Sequence, residues 1–401
     1  MTEKIETPCL WLGIDMEKEY RFLGGQPPKE SFPVEGLIEA STKVLRRIGK
    51  ELAFYPTFSD WAGKSNKGYL GLREVASERY RHREDIALPV ENISITTGSM
   101  DAIVLLGRAL TQPGDTVITE ELTYMGTLNC FRYLRMNIEG VSVDPVKGMD
   151  VDALEKTLKR LKAMNVKPKF IYTIPNYQNP TGAVMPLDRR KRMLDLAYEY
   201  DTIILQDDCY GDLDFEGGVP PSLYTLEALE KKGERVVFIA TFSKILGTGV
   251  RQGYFYAPPK IMDLVSANRW DAGASALASF IVAEYFKDNL RSHLKEHVAV
   301  IKAKRDVLMK AVEENLTGVA AWHKPKGGLF FWMKLPDGID MDKLQAEANA
   351  RKVYYSRGRE FHVRNEDIPY LRLAYTHMTH DEIREGVEQL GKAIRAALGK
   401  K

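Results

Sequence analysis

Between residues 93 and 257 short apolar runs alternate with stretches in which apolar residues recur every three or four positions. The runs predict strands over 93–96, 116–119, 138–143, 170–173, 202–205, 236–240 and 254–257, and the periodic stretches predict helices over 99–110, 125–135, 151–163 and 187–200. Strands joined in this way by helices imply an α/β fold, a mainly parallel sheet sandwiched by helices, with ligands beyond the carboxyl ends of the strands. After residue 257 the rhythm changes to helices over 260–268, 275–286 and 290–315. Apolar segments at 328–333, 353–355 and 370–374 then alternate with helices, which predicts a smaller α+β lobe. Thr379 and Glu382 form a capping box before a last helix with Ile383, Val387, Leu390 and Ile394 on one face. Upstream, Gly24-Gly25 and Pro27-Pro28 make an irregular arm. Leu37, Ile38, Val44, Leu45 and Ile48 follow at helical spacing, and 52–71 reads as a long polar and aromatic loop. The expected division is an arm and helix over 1–50 packing with the small domain, a large domain over 51–288 and a small domain over 289–401.

Composition narrows the function classes. The 57 basic and 55 acidic side chains nearly cancel, so nothing in the charge points to nucleic acid or an acidic membrane as partner. Cys9, Cys130 and Cys209 form no close pair and no Cys-x-x-Cys, which points away from a disulfide framework or a zinc site and toward a reducing compartment. With no signal pattern at the amino terminus and no apolar stretch of spanning length, a cytoplasmic location and no metal centre are expected.

The chemistry gathers at the strand ends. The run at 236–240 delivers Ser243 and Lys244 into Thr241-Phe242-Ser243-Lys244-Ile245-Leu246-Gly247-Thr248-Gly249-Val250-Arg251, a loop of small residues. A lysine desolvated beside other cations loses its proton readily and can form a Schiff base. Gly247 and Gly249 let the backbone turn so that Ser243, Lys244 and Arg251 converge on one phosphorylated ligand, a combination that suggests pyridoxal phosphate. Alone, the stretch reads equally well as a surface turn. A dinucleotide fingerprint is excluded, because the spacing from Gly249 to Gly253 is wrong and an apolar run follows where a helix should open.

Elsewhere, Thr97-Gly98-Ser99 turns directly into a helix, so Ser99 and the Met100 amide form either a phosphate seat or a plain serine cap. Tyr124 offers an aromatic face or core packing. Asn179 sits between two prolines and a glycine at a fixed backbone position. Asp207 leaves the end of a buried strand, where a carboxylate calls for a cationic partner or serves as a helix cap, and Tyr210 follows three residues on. Trp322, Phe330, Phe331 and Trp332 read as core of the small lobe, and His377 and His380 as solvated.

Asn179-Pro180-Thr181-Gly182, Asp207 with Tyr210, Ser243-Lys244, Arg251 and Arg372 occur in the order and approximate spacing of the class I/II aminotransferases, fold type I among pyridoxal phosphate enzymes. The chain resembles that family over nearly its whole length. Gly98-Ser99 and Tyr124-Met125-Gly126-Thr127-Leu128 look most like the kynurenine/α-aminoadipate aminotransferase branch. The resemblance implies transfer of the amino group of an α-amino acid to a 2-oxo acid in ping-pong half reactions. Lys244 would carry the cofactor and move the proton, while Asp207 would keep the ring nitrogen protonated. Tyr210 and Asn179 would bond the ring oxygen, Tyr124 would stack on the ring, and Ser99, Met100, Ser243 and Arg251 would hold the phosphate. Arg372 would grip the substrate carboxylate, with Gly25 and Asn179 beside it. Tyr55 would reach the phosphate of a neighbouring subunit, which implies a homodimer with shared sites.

Departures from the family pattern are Thr248 before Gly249, Arg357-Gly358 in place of Pro-Gly, and a stretch over 61–68 that lengthens the loop after Tyr55; the loop from Phe58 to Lys67 is expected to supply residues for the substrate's distal group. Rival readings are another reaction of the same cofactor, namely decarboxylation, elimination or oxidation, and a noncatalytic cofactor-binding module.

Overall fold

The computed structural model describes residues 18–55, 59–63, 65–230, 233–271 and 273–399; Cys9, the amino terminus, Phe58 and Lys64 lie outside them. Seven strands form the large sheet in the order Asn137–Val141, Thr116–Glu120, Phe170–Thr173, Ile203–Asp207, Val236–Thr241, Gly253–Tyr256, Ile93–Thr96. Gly253–Tyr256 runs antiparallel to both neighbours, and every other pair is parallel. Central strands such as Val236–Thr241 are buried along their whole length, which is why they read as continuous apolar runs rather than alternations. Helices Ser99–Leu110 and Val151–Ala163 stand where the periodicity predicts them, the second capped by Asp150, whose carboxylate accepts the amides of Asp152 and Ala153.

Two expectations are corrected. The helices expected over 275–286 and 290–315 are one helix, Ala276–Leu316, capped by Ser275. Lys287-Asp288-Asn289 reads as a break, yet this stretch holds no proline or glycine, and Asn289 Nδ2 bonds the Tyr285 carbonyl at 2.8 Å within the helix. The helix therefore carries the chain through residue 288 and contacts both lobes. The loop expected over 52–71 contains a 3-10 turn at Asp60–Ala62 and gives way to helix Leu70–Glu84. That helix is hard to read from periodicity because its inner face mixes the arginines Arg73 and Arg79 with Leu72, Val75, Ala76 and Tyr80. Arg79 is buried, pairs with Asp212 at 2.6 Å and donates to the Thr241 carbonyl at 2.7 Å, bracing the strand that leads to Ser243.

A four-stranded antiparallel sheet, in the order Ala321–Trp322, Phe330–Lys334, Tyr370–Ala374, Ser356–Arg357, forms the second lobe with helices Met341–Ala350 and His380–Ala397. The capping box is present: Thr379 Oγ1 accepts the Glu382 amide, and the Glu382 carboxylate accepts the Thr379 amide. The arm is stitched to this lobe by Tyr20–Arg21, which pairs in parallel with Val353–Tyr354. It then crosses to the carboxyl ends of the large sheet. His380 is exposed as expected, whereas His377 is half-buried.

Candidate active site

Of the residues that the resemblance assigns to the cofactor or the substrate, all but Tyr55 line one cavity of about 500 Å³ at the carboxyl ends of the large sheet, roofed by the arm and the second lobe. Lys244 enters from the turn after Val236–Thr241, and its Nζ donates to the Gly25 carbonyl at 2.8 Å. Burial pulls its pKa below that of an ordinary lysine, and the Arg372 and Arg251 guanidiniums add to the effect against the opposing Cys209 and Asp207.

Asp207 ends its strand inside the protein. Its Oδ2 accepts the Tyr172 hydroxyl at 2.6 Å, and Tyr172 in turn accepts from Thr127 at 3.1 Å. Its Oδ1 is buried and has no hydrogen-bond partner. Burial raises the pKa of this carboxyl against the Cys209 and Tyr172 donors that hold it down, and a cationic N–H at Oδ1 would favour its charged form.

The helix Ser99–Leu110 presents its N-terminus to the same cavity. Gly98, not Ser99, is the N-cap, at φ 100°, so the Ser99 hydroxyl is not spent on capping. A Cβ at Gly98 would stand 2.8 Å from Arg251 Nη2, which explains why the position holds glycine. Arg251 is held in the left-handed region at φ 53°, and its Nη2 donates to the Thr97 carbonyl at 2.5 Å. An arginine in this conformation marks a turn shaped for its side chain. The Ser243 hydroxyl is buried beside it without a partner. An anion seat and a lone carboxyl oxygen on the wall of one cavity fit the phosphate and the protonated ring nitrogen of pyridoxal phosphate.

Arg372, on Tyr370–Ala374, is buried. Its Nη1 donates to Asn179 Oδ1 at 2.9 Å and its Nη2 to the Leu23 carbonyl at 2.6 Å, while its Nε is unpartnered. The guanidinium lies between the rings of Phe330 and Phe361, 4.4 and 4.7 Å from their centroids. Burial pushes its pKa down to about 10, which still leaves the group charged near neutrality. Asn179 links this clamp to the Tyr210 hydroxyl at 3.5 Å.

Several contributors escape the sequence reading. Phe330, read there as core, packs on Arg372 and edge-on to Tyr210 at 5.5 Å; a strand alternation alone does not tell a core face from a cavity wall. Glu120 is fully buried at the end of its strand. It accepts the Thr173 and Thr123 hydroxyls, the Ile174 amide and Gln178 Nε2, all between 2.8 and 3.0 Å, and thereby sets the loop that carries Asn179. Asp208 accepts Asn176 Nδ2 at 2.7 Å and pairs with Arg83, while Asn176 Oδ1 accepts Arg190 at 2.6 Å. A run of acid residues at 207–208 was the available signal.

Two expected features, and one departure from the family pattern, stand elsewhere. Tyr55 is 69% exposed, away from the cavity of its own chain. Trp61, in the lengthened loop, packs on Phe280 at 5.2 Å and lines a separate cavity of about 580 Å³ with Arg47 and Glu284, so within one chain this residue does not reach the substrate end of the site. Arg357, its side chain 11% exposed, pairs with Asp342 and Asp367 at 2.6 and 2.7 Å. Among the described residues no cluster of histidine, cysteine or carboxylate side chains is arranged to hold a metal, and no helix is long and apolar enough to cross a membrane.

Residues 31–390 match the family model described as aminotransferase class I and II. An aromatic-amino-acid aminotransferase of Thermococcus litoralis is 34% identical over 380 residues, 94% of this chain and 88% of the relative. Among solved structures, a multiple-substrate aminotransferase from Thermococcus profundus superposes with a TM-score of 0.87 at 30% identity, covering 96% of this chain and 93% of that one. An α-aminoadipate aminotransferase from Thermus thermophilus, solved with N-(5′-phosphopyridoxyl)-L-leucine, does so with 0.86 at 31% identity, covering 95% and 93%. The fold and the comparisons together define a fold type I pyridoxal phosphate enzyme. The chain belongs to the class I and II aminotransferases and transfers amino groups.

Proposed function

We propose that Lys244 is the residue that bonds the cofactor and moves the proton, and that Arg372 binds the α-carboxylate of an α-amino acid and then of the 2-oxo acid that accepts its amino group. The observation that carries this reading is the convergence of Lys244 Nζ, the unpartnered Asp207 Oδ1 and the Asn179–Arg372 clamp on one cavity. Asp207, braced by Tyr172, would pair with the ring N–H. Tyr210 and Asn179 would bond the ring oxygen, and Tyr124 would cover its face. Ser99, the Met100 amide, Ser243 and Arg251 would hold the phosphate. Pyridoxal phosphate supplies an electron sink for the negative charge that forms at the substrate's Cα. Lys244 Nζ, with its proton affinity lowered by burial and neighbouring cations, suits the role of base at that carbon. Arg372 Nε is free to donate to a carboxylate, and the Leu23 and Gly25 carbonyls now bonded to Arg372 and Lys244 place the arm where it excludes water from the substrate.

A homodimer with Tyr55 entering the partner's site belongs to the same reading. Val34, Ile38 and Leu45 on helix Val34–Ile48, and Phe54, Tyr55 and Trp270 elsewhere, are large apolar side chains exposed on the single chain, Trp270 to 88%. The proposed division at 50/51 and 288/289 puts the site where all three segments meet. A cytoplasmic location is supported by the free thiols Cys130 and Cys209.

The test is the visible spectrum of the purified protein, recorded with single amino acids in the absence of any oxo acid. The cofactor band bleaches with the right donor and returns with a 2-oxo acid. A band that does not respond, or turnover that needs no oxo acid, refutes amino transfer.

A further inference from the structure

Two buried histidines on the long helix Ala276–Leu316 have no part in the chemistry above, yet both point at the lysine turn. His297 Nε2 lies 2.9 Å from the carbonyl of Lys244 itself, and His293 Nε2 lies 2.6 Å from the carbonyl of Ile245. The turn closes on the Phe242 carbonyl, which accepts the amides of Ile245 and Leu246 at 3.3 and 2.8 Å; the imidazoles meet the next part of the turn from below. A carbonyl only accepts, so each Nε2 must carry the hydrogen and each Nδ1 must be an acceptor. For His293 that acceptor takes the Tyr285 hydroxyl at 3.0 Å. For His297 it takes the Ser31 hydroxyl at 2.8 Å, a hydrogen shared with the Pro28 carbonyl 3.0 Å away. The rings stack one helical turn apart, with centroids 5.7 Å apart and planes inclined by 15°.

We propose that His297 is a positioning residue: it fixes the backbone of Lys244 from beneath and, through Ser31, ties the arm that roofs the site to the lysine it covers. The chain Ser31, His297, Lys244, Gly25 is a closed ring of contacts. The arm's Gly25 carbonyl accepts Lys244 Nζ above the turn, while the arm's Ser31 holds the imidazole that grips Lys244 below it. A single side chain thereby sets both the height of Nζ in the cavity and the register of the roof. Burial pulls the His297 pKa down to about 4, so the ring stays neutral at working pH and its two nitrogens keep distinct roles. The inference rests on Lys244 being the cofactor lysine.

The test uses full-length protein with three substitutions, His297→Phe, His297→Gln and Ser31→Ala. Two quantities are read: the rate at which cofactor-stripped protein captures added pyridoxal phosphate, followed by its visible band, and kcat against KM in the loaded enzyme. Losing a buried hydrogen bond to the lysine backbone should slow capture and lower kcat in His297→Phe by about tenfold each, with KM for the amino acid within about twofold. His297→Gln, whose amide N–H reaches the position of Nε2, should recover most of both. Ser31→Ala, which keeps the Lys244 contact and loosens only the arm, should slow capture by about two- to threefold. Wild-type capture and kcat in His297→Phe, or equal losses in His297→Phe and His297→Gln, overturn the proposal. Should His297→Phe fail to fold, wild-type behaviour of Ser31→Ala together with a tenfold loss in His297→Gln overturns it as well. A Lys244→Ala protein that still develops the band refutes the reading of the lysine itself, whatever the histidine variants do.

Discussion

Replacing Glu120 with glutamine tests whether a buried carboxyl positions the Asn179 loop as a neutral acid. Burial raises its pKa from 4.5 to about 7, against the pull of donors from Gln178, Ile174, Thr173 and Thr123. The folded protein holds this proton up to about pH 7, while the unfolded chain releases it near 4.5. The carboxyl's contribution to stability is therefore fully present below 4.5 and is lost as pH rises through 7. A rise of this size is worth about 3 kcal/mol. Glutamine does not titrate. Its oxygen can keep the bonds from Thr173 and Ile174, but its nitrogen then faces Gln178 Nε2, now 3.0 Å from the carboxylate oxygen, as donor against donor. Gln178 Oε1 holds the Thr181 amide and hydroxyl at 2.9 and 2.7 Å, so the disturbance passes to Asn179. The assay is urea unfolding of both proteins across the pH range. The stability advantage of the wild type over Glu120→Gln should shrink by about 3 kcal/mol between pH 4.5 and about pH 8. An advantage that is constant with pH, or that grows as pH rises, refutes the reasoning.

Arg372→Lys keeps the charge but cannot bond Asn179 and Leu23 while offering a fork to a carboxylate, so kcat/KM for the amino acid should fall by about tenfold to a hundredfold, with cofactor binding retained. An unchanged kcat/KM across several donors removes Arg372 from the substrate site. Tyr172→Phe takes the donor from Asp207 Oδ2; since that bond favours the charged carboxylate, its loss raises the carboxyl's proton affinity further. Cofactor retention, measured by equilibrium dialysis, should weaken by about tenfold, and wild-type retention would show that Tyr172 does not support Asp207.

Much of this protein is local, and local features are readable. Apart from the edge strand Asn137–Val141, strands of the large sheet are buried on both faces and helices on one, so apolar runs and three-to-four-residue periods place both; Ser99–Leu110 and Val151–Ala163 stand where the pattern predicts them. The residues that bear the chemistry are likewise tied to strand ends and turns of recognisable composition, from Gly98 through Asn179, Asp207 and Lys244 to Arg251. Their order along the chain points to the family before any contact is known.

Contacts between distant segments left no such trace. Helix Leu70–Glu84 buries Arg73 and Arg79 among Leu72, Val75, Ala76 and Tyr80, because Arg79 finds Asp212 some 130 residues away, and no periodicity announces a charge whose partner is remote. Glu120, Tyr172 and His297 look unremarkable in isolation; each acquires its role from groups that the fold alone brings within 3 Å. The chain by itself determined which backbone segments form and which reactive side chains stand at their ends, since hydrophobic period and turn chemistry act over a few residues. Only the tertiary structure decided how those side chains are held, because burial and hydrogen-bond partnership depend on segments hundreds of positions apart, as when Arg372 closes on Leu23 and Asn179.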